Sequence, residues 1–177
     1  MKLCDGFILQ GGLSGDYYEY YIAKYSIQNN IPILGICAGF NSLVRAAGCE
    51  LSTEQELHLL PSLHNVYSKS YRHSVKIIND TILFEIFKTN QLLVNSIHSK
   101  FLTEKAAKEN NDNIVINATV TDTLDNGFTL TTVEAVSVKN TRFALGIKWH
   151  PEIMDQKHKQ LLFKRFLDEC QDLINKG

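Results

Sequence analysis

Ile31-Pro32-Ile33-Leu34-Gly35-Ile36-Cys37-Ala38-Gly39 sets a short apolar, β-branched run against a cysteine flanked by glycines. A run of this length and character reads as a strand buried on both faces of a parallel sheet. The following Gly39-Phe40-Asn41-Ser42-Leu43-Val44-Arg45-Ala46-Ala47-Gly48 reads as a short helix closed by glycine. Cys37 therefore falls on a strand-to-helix turn, at a helix N-terminus, where free N–H groups and the helix dipole favour a thiolate. The glycines on either side let the turn close tightly and let another molecule approach the backbone. This is the layout of a nucleophile elbow, with sulfur in place of oxygen.

Outward from that turn, the pattern alternates strand and helix. Asp5 to Gly12 reads as a strand running into a glycine turn, and Tyr17 to Asn30 as a helix. Beyond the elbow, Ser52 to Ser70 reads as a long irregular connection. Tyr71 to Ile78 then reads as a strand, Thr81 to Phe87 as a short helix and Gln91 to Ser96 as another strand. Ile114 to Thr121 and Thr129 to Val138 form a hairpin around Asp125-Asn126-Gly127. Phe143 to Trp149 is a further strand, and Gln156 to Ile174 a closing amphipathic helix. The grammar is α/β: an open, mostly parallel sheet flanked by helices in three layers, with an antiparallel hairpin extension. No repeat or linker interrupts it, so residues 1–177 read as one domain.

Composition narrows the function. With 44% apolar and 21% charged residues the chain is of ordinary globular type. A formal charge of −1 gives no electrostatic footprint for nucleic acid. No apolar run is long enough to span a membrane. The four cysteines, at 4, 37, 49 and 170, form no Cys-x-x-Cys pair and read as reduced thiols, with the cytoplasm as the simplest address. His58, His64 and His73 match no metal-ligand spacing, and neither a metal nor a cofactor is called for.

The chemistry lies at the ends of three strands. Cys37 follows one, Gly11-Gly12 another, and Trp149-His150-Pro151-Glu152 a third. In an open parallel sheet the loops beyond the strand C-termini share one crevice. His150 is placed to hold Cys37 as thiolate, and Glu152 to accept the second ring N–H of His150 and fix its orientation. Backbone N–H groups of Gly12 and Ala38 are placed to form the donor pair that acyl transfer needs. A cysteine, a histidine before proline or a glutamate at a helix start is each unremarkable alone. The three motifs in one order, each at a strand end, point to one catalytic site.

At this point the chain resembles the class I glutamine amidotransferase-like superfamily, with its Gly-x-Cys-x-Gly elbow and His-Pro-Glu segment. Within it, the chain is most similar to the γ-glutamyl-γ-aminobutyrate hydrolase (peptidase C26) branch. Asp5 to Gly12, Val94-Asn95-Ser96-Ile97-His98 and Leu145 to Glu152 carry that likeness. The resemblance implies Cys37 as nucleophile, His150 as general base and then acid, and Glu152 as its orienter. It implies hydrolysis of a γ-glutamyl amide of a small molecule through a γ-glutamyl thioester, with no cofactor. Asn41, Asn95 and His98 would line the substrate pocket. Two alternatives stand beside this: a glutaminase subunit feeding ammonia to a synthetase partner, and a non-catalytic member that keeps the fold. The chain departs from the branch at Asn41, where glutamine is usual, and at Ala38, where arginine is frequent. The branch's N-terminal strand and helix are also missing before Asp5, which implies a truncated reading frame, or a homodimer or partner contact over the exposed sheet region.

Overall fold

The computed structural model describes residues 4–12, 17–51, 72–96, 100–109, 112–123, 127 and 129–174. The connection expected at 52–70, with His58 and His64, lies outside them, as do His98 and the Asp125-Asn126 part of the expected turn. Among the described residues the order is β1 (Phe7–Leu9), α1 (Tyr17–Gln28), β2 (Ile33–Ile36), α2 (Ala38–Ala46), β3 (Arg72–Ile77), α3 (Ile82–Phe87) and β4 (Gln91–Asn95). Then follow β5 (Leu102–Thr103), α4 (Glu104–Glu109), β6 (Ile114–Thr123), β7 (Thr129–Val138), β8 (Ala144–Ile147), a 3₁₀ turn (Pro151–Ile153) and α5 (Gln156–Ile174).

The strands form one sheet in the order β1-β2-β8-β7-β6-β3-β4, with β5 also paired to β7. β1, β2 and β8 run parallel, with Leu9 opposite Gly35 and Gly35 opposite Gly146. From β8 onward every neighbour is antiparallel. The α/β class with flanking helices therefore stands, but parallel pairing is confined to three strands. The antiparallel part is much more than a hairpin extension. The reason is connectivity: β6 and β7 are consecutive and pair over ten residues each. Both flanking strands, β3 and β8, then add antiparallel to that long hairpin.

Helices cover both faces. On one, α1 and α2 lie over the parallel strands, where Leu9, Ile33 and Ala144 meet Ala23, Phe40, Leu43 and Val44. On the other, Leu34, Ile36, Leu145 and Ile147 pack with Leu83 and Phe87 of α3 and Leu162 and Phe166 of α5. β2 and β8 are buried along their whole length, as their unbroken apolar runs require. Burying roughly 2 kcal/mol of transfer free energy in each such Leu or Ile makes this double-sided packing the main support for the strand ends that carry the site.

α2 can lie close on the sheet only because of glycine. A Cβ on Gly39 would collide with the backbone oxygen of Leu9 in β1, and one on Gly35 would stand 2.5 Å from the Gly39 carbonyl oxygen. The helix ends at Gly48, whose φ of 92° turns the chain out of the helix. β5 and α4 carry no periodic signal in the sequence. Two residues of strand and six of helix are too short for one.

Candidate active site

Cys37 caps the N-terminus of α2 with φ 54° and ψ −100°, a left-handed backbone that a side chain adopts only under strain. Its N–H donates to the Ile147 carbonyl at 2.9 Å, tying the turn to β8. The strained turn projects the thiol at the end of β2, next to where β8 delivers His150. Cys37 is buried, 7% exposed. The thiol hydrogen-bonds the His150 ring, and His150 Nδ1 meets Glu152 Oε1 at 2.7 Å. The three residues thus form one chain of hydrogen bonds from a buried sulfur to a half-exposed carboxylate.

The electrostatics follow from that chain. Burial pushes the Cys37 thiol up, but the His150 hydrogen bond, the charges of Lys148 and His150, and the Ala38 N–H together carry it below its ordinary value. His150 is raised to about 9, first by its hydrogen bond to Cys37 and then by the one to Glu152, against the opposing effect of burial. Burial also pushes Glu152 up, but the bond to His150, its own backbone N–H and the charge of His150 together lower the carboxyl. The arrangement therefore favours thiolate and imidazolium, a pair chemically able to attack a carbonyl and to donate a proton.

The glycine loop after β1 closes the site from the other side. A Cβ on Gly11 would stand 2.5 Å from His150 Cε1 and 3.3 Å from Cys37 Cβ, so only glycine lets this loop reach both residues. Gly12 follows it, exposed at the mouth. Ala38 is buried at the first turn of α2, its N–H directed at the Cys37 sulfur.

Two residues expected in the substrate pocket stand differently. Asn95, at the end of β4, is fully buried, and its amide is consumed by the backbone of His150. Its Nδ2 donates to the His150 carbonyl at 2.7 Å and its Oδ1 accepts from the His150 N–H at 2.8 Å. It clamps the His150 backbone from both sides of its amide, a positioning role that the sequence reading did not assign it. The sheet must curl for this contact to exist. β4 is four strands from β8, about 19 Å across a flat sheet at the usual strand spacing. Asn41 remains beside the site, half-buried one turn into α2, and its Oδ1 accepts a hydrogen bond from Lys148 Nζ at 3.0 Å.

Lys148 joins the site although no motif in the sequence marks it. It is 1% exposed, and its ammonium lies 5.2 Å from the centre of the Phe40 ring. Its N–H donates to the carbonyl of Glu134, itself a buried carboxylate on β7 that faces His73 of β3 at 3.6 Å. The available signal was a lysine inside the otherwise apolar run from Phe143 to Trp149, where a buried strand has no ordinary use for charge. Among the described residues, no group of His, Cys, Asp and Glu side chains is arranged to hold a metal, and no helix is long and apolar enough to cross a membrane.

A family model for peptidase C26 matches residues 2–152. The chain belongs to the peptidase C26 family. This C26 chain is 30% identical over 169 residues to the γ-glutamyl-γ-aminobutyrate hydrolase PuuD of Escherichia coli K12, a match covering 90% of the chain. It spans 61% of that relative's length. It is also 29% identical to a subunit of the glutamine-hydrolysing GMP synthase of Picrophilus torridus, over 94% of the chain and 77% of the relative. In three dimensions it superposes on the glutaminase domain of Trypanosoma brucei CTPS, solved with bound acivicin, with a TM-score of 0.72 at 20% identity. That match covers 96% of the C26 chain and 72% of the other, and establishes the glutamine amidotransferase-like fold.

Proposed function

We propose that this C26 protein is a cysteine hydrolase that cleaves the γ-glutamyl amide of a small molecule. The observation that carries the reading is the hydrogen-bonded chain of Cys37, His150 and Glu152 at a strained elbow on a helix N-terminus. The Cys37 thiolate attacks the γ-carbonyl carbon, forming the C–S bond and an oxyanion that the N–H groups of Gly12 and Ala38 receive. As the tetrahedral species collapses, the C–N bond breaks and the His150 imidazolium passes its proton to the departing amine. Neutral His150 then takes a proton from water as it attacks the thioester, and glutamate leaves as the thiolate is restored. His150, hydrogen-bonded to Cys37, thus serves as base toward the thiol, as acid toward the departing amine and as base toward water. Glu152 holds the ring for both steps.

A second reading, release of ammonia from glutamine for a synthetase partner, draws support from the likeness to the GMP synthase subunit, of which this chain spans 77%. One experiment separates the two. Purified protein is incubated with γ-glutamyl-γ-aminobutyrate or with glutamine, and glutamate is measured. Release from the γ-glutamyl amine by the protein alone is expected, with Cys37→Ala slower by about four orders of magnitude or more. Glutamine turnover without γ-glutamyl amine turnover favours the second reading. A Cys37→Ala protein as active as the wild type overturns both.

A further inference from the structure

We infer that Lys148 is a positioning residue of this site, whose buried ammonium fixes the orientation of the Asn41 amide and acts on the Cys37 sulfur at the start of the same helix. This deepens the assignment of Cys37 as nucleophile and rests on it. The inference begins with cost. A lysine buried to 1% exposure loses hydration worth several kcal/mol, which only hydrogen bonds and neighbouring charge offset. The core around it has apolar residues of similar volume that would fill the space without that cost.

What the ammonium touches indicates its use. Nζ donates to Asn41 Oδ1 at 3.0 Å and lies over the Phe40 ring, both groups on the first turn of α2 immediately after Cys37. An ammonium has only hydrogens to offer, so the oxygen of the Asn41 amide must face it. The Asn41 NH₂ is then the end left for a ligand, and it recognises an acceptor such as a carboxylate or a carbonyl oxygen of the γ-glutamyl group. In this way a buried charge two residues before the histidine decides which polarity the α2 wall offers to substrate.

The same charge acts on the nucleophile. The titratable and charged groups around Lys148 are Cys37 at the start of α2, Glu134 on β7 with His73 of β3 behind it, Lys100 ahead of β5, and His150 with Glu152 beyond β8. Burial lowers Lys148, the attraction of Cys37 and Glu134 opposes that, and Lys100 adds to the lowering. The coupling to Cys37 is mutual, since Lys148 in turn favours the thiolate. The Lys148 ammonium thus acts on the sulfur alongside the His150 ring.

The test follows the pH dependence of Cys37 labelling by iodoacetamide in the whole chain, with mass spectrometry resolving each cysteine. Exposed Cys4 supplies a reference thiol in the same molecule. In the wild type the Cys37 midpoint is expected below the ordinary thiol value. Lys148→Met and Lys148→Gln are expected to move it upward by about one pH unit, slowing Cys37 labelling about tenfold relative to Cys4 below the midpoint. Lys148→Arg, which keeps the charge, restores most of the difference, a rescue that a merely space-filling role would not give. Cooperative thermal unfolding identifies folded variants, and Lys148→Gln, which keeps a donor for Asn41, stands in where Lys148→Met does not fold. An unchanged Cys37 midpoint in either folded variant overturns the inference. Because labelling needs no γ-glutamyl substrate, this result is independent of which amide the protein cleaves.

Discussion

The parallel strands and the antiparallel strands of this sheet do different work. β1, β2 and β8 are three or four residues long, and each releases the chain into a loop that carries part of the site. β6 and β7 are ten residues long and carry none of the Cys37–His150–Glu152 chain. Yet the antiparallel part is not a passive extension. Its far strand curls back to clamp the His150 backbone through Asn95, and β7 places Glu134 beneath Lys148. Short parallel strands present Cys37 and His150, and antiparallel strands hold them from behind. A strand end alone leaves a histidine free to drift, so the precision of this site depends on residues distant in sequence and in strand order.

That division of labour can be broken from either side. The largest effect is expected on the parallel side, from Gly39→Ala, which drives a methyl into the Leu9 backbone and separates α2 from β1. A loss of about 3 kcal/mol in unfolding free energy is expected from urea titration, large against the usual total for a domain. A midpoint equal to the wild type would mean that the close contact of α2 and β1 is not what seats the elbow.

On the antiparallel side, Asn95→Ala leaves the buried N–H and carbonyl of His150 without the clamp. Each such group costs about 1–3 kcal/mol when its partner is lost. We expect glutamate release to fall about a hundredfold in kcat, with KM little changed because Asn95 is fully buried against the His150 backbone. A raised KM with unchanged kcat would return Asn95 to the pocket wall.

The smallest effect sharpens the comparison at the site itself. His150 must be protonated to release the amine, and it is held up to about 9 by Cys37 and Glu152. The kcat/KM profile is therefore expected to fall about tenfold per unit above pH 9. Removing the carboxylate charge with Glu152→Gln takes away one of the two influences that raise His150, so the falling limb shifts to lower pH. A limb that moves upward, or stays in place, would show that Glu152 does not bear on the ring charge.

Much of the parallel side was legible in the sequence. An unbroken apolar run into Gly35-Ile36-Cys37-Ala38-Gly39 leaves few options other than a buried strand, a tight turn and a helix. Trp149-His150-Pro151-Glu152 ends its strand as plainly, and the geometry joins the two. The antiparallel side was less legible because its information is non-local. Nothing beside Asn95 reveals that its amide meets a backbone 55 residues away. Strand alternation at Arg72–Ile77 marks a half-buried strand but does not name its neighbours, so the extent of antiparallel pairing was underestimated. Lys148 was overlooked for another reason: lysine is usually assigned to the surface, and only the packing of α2 against β8 shows it enclosed.

The twisted backbone at residue 37 carries a consequence for the stability of the fold. A cysteine at φ 54° holds the folded chain in a sparsely populated conformation at a cost of order 1–3 kcal/mol, whereas glycine would sit there at ease. Glycine at this position would therefore yield a firmer, chemically silent fold. Cys37→Gly is expected to raise the thermal unfolding midpoint while it removes the thiol from the site.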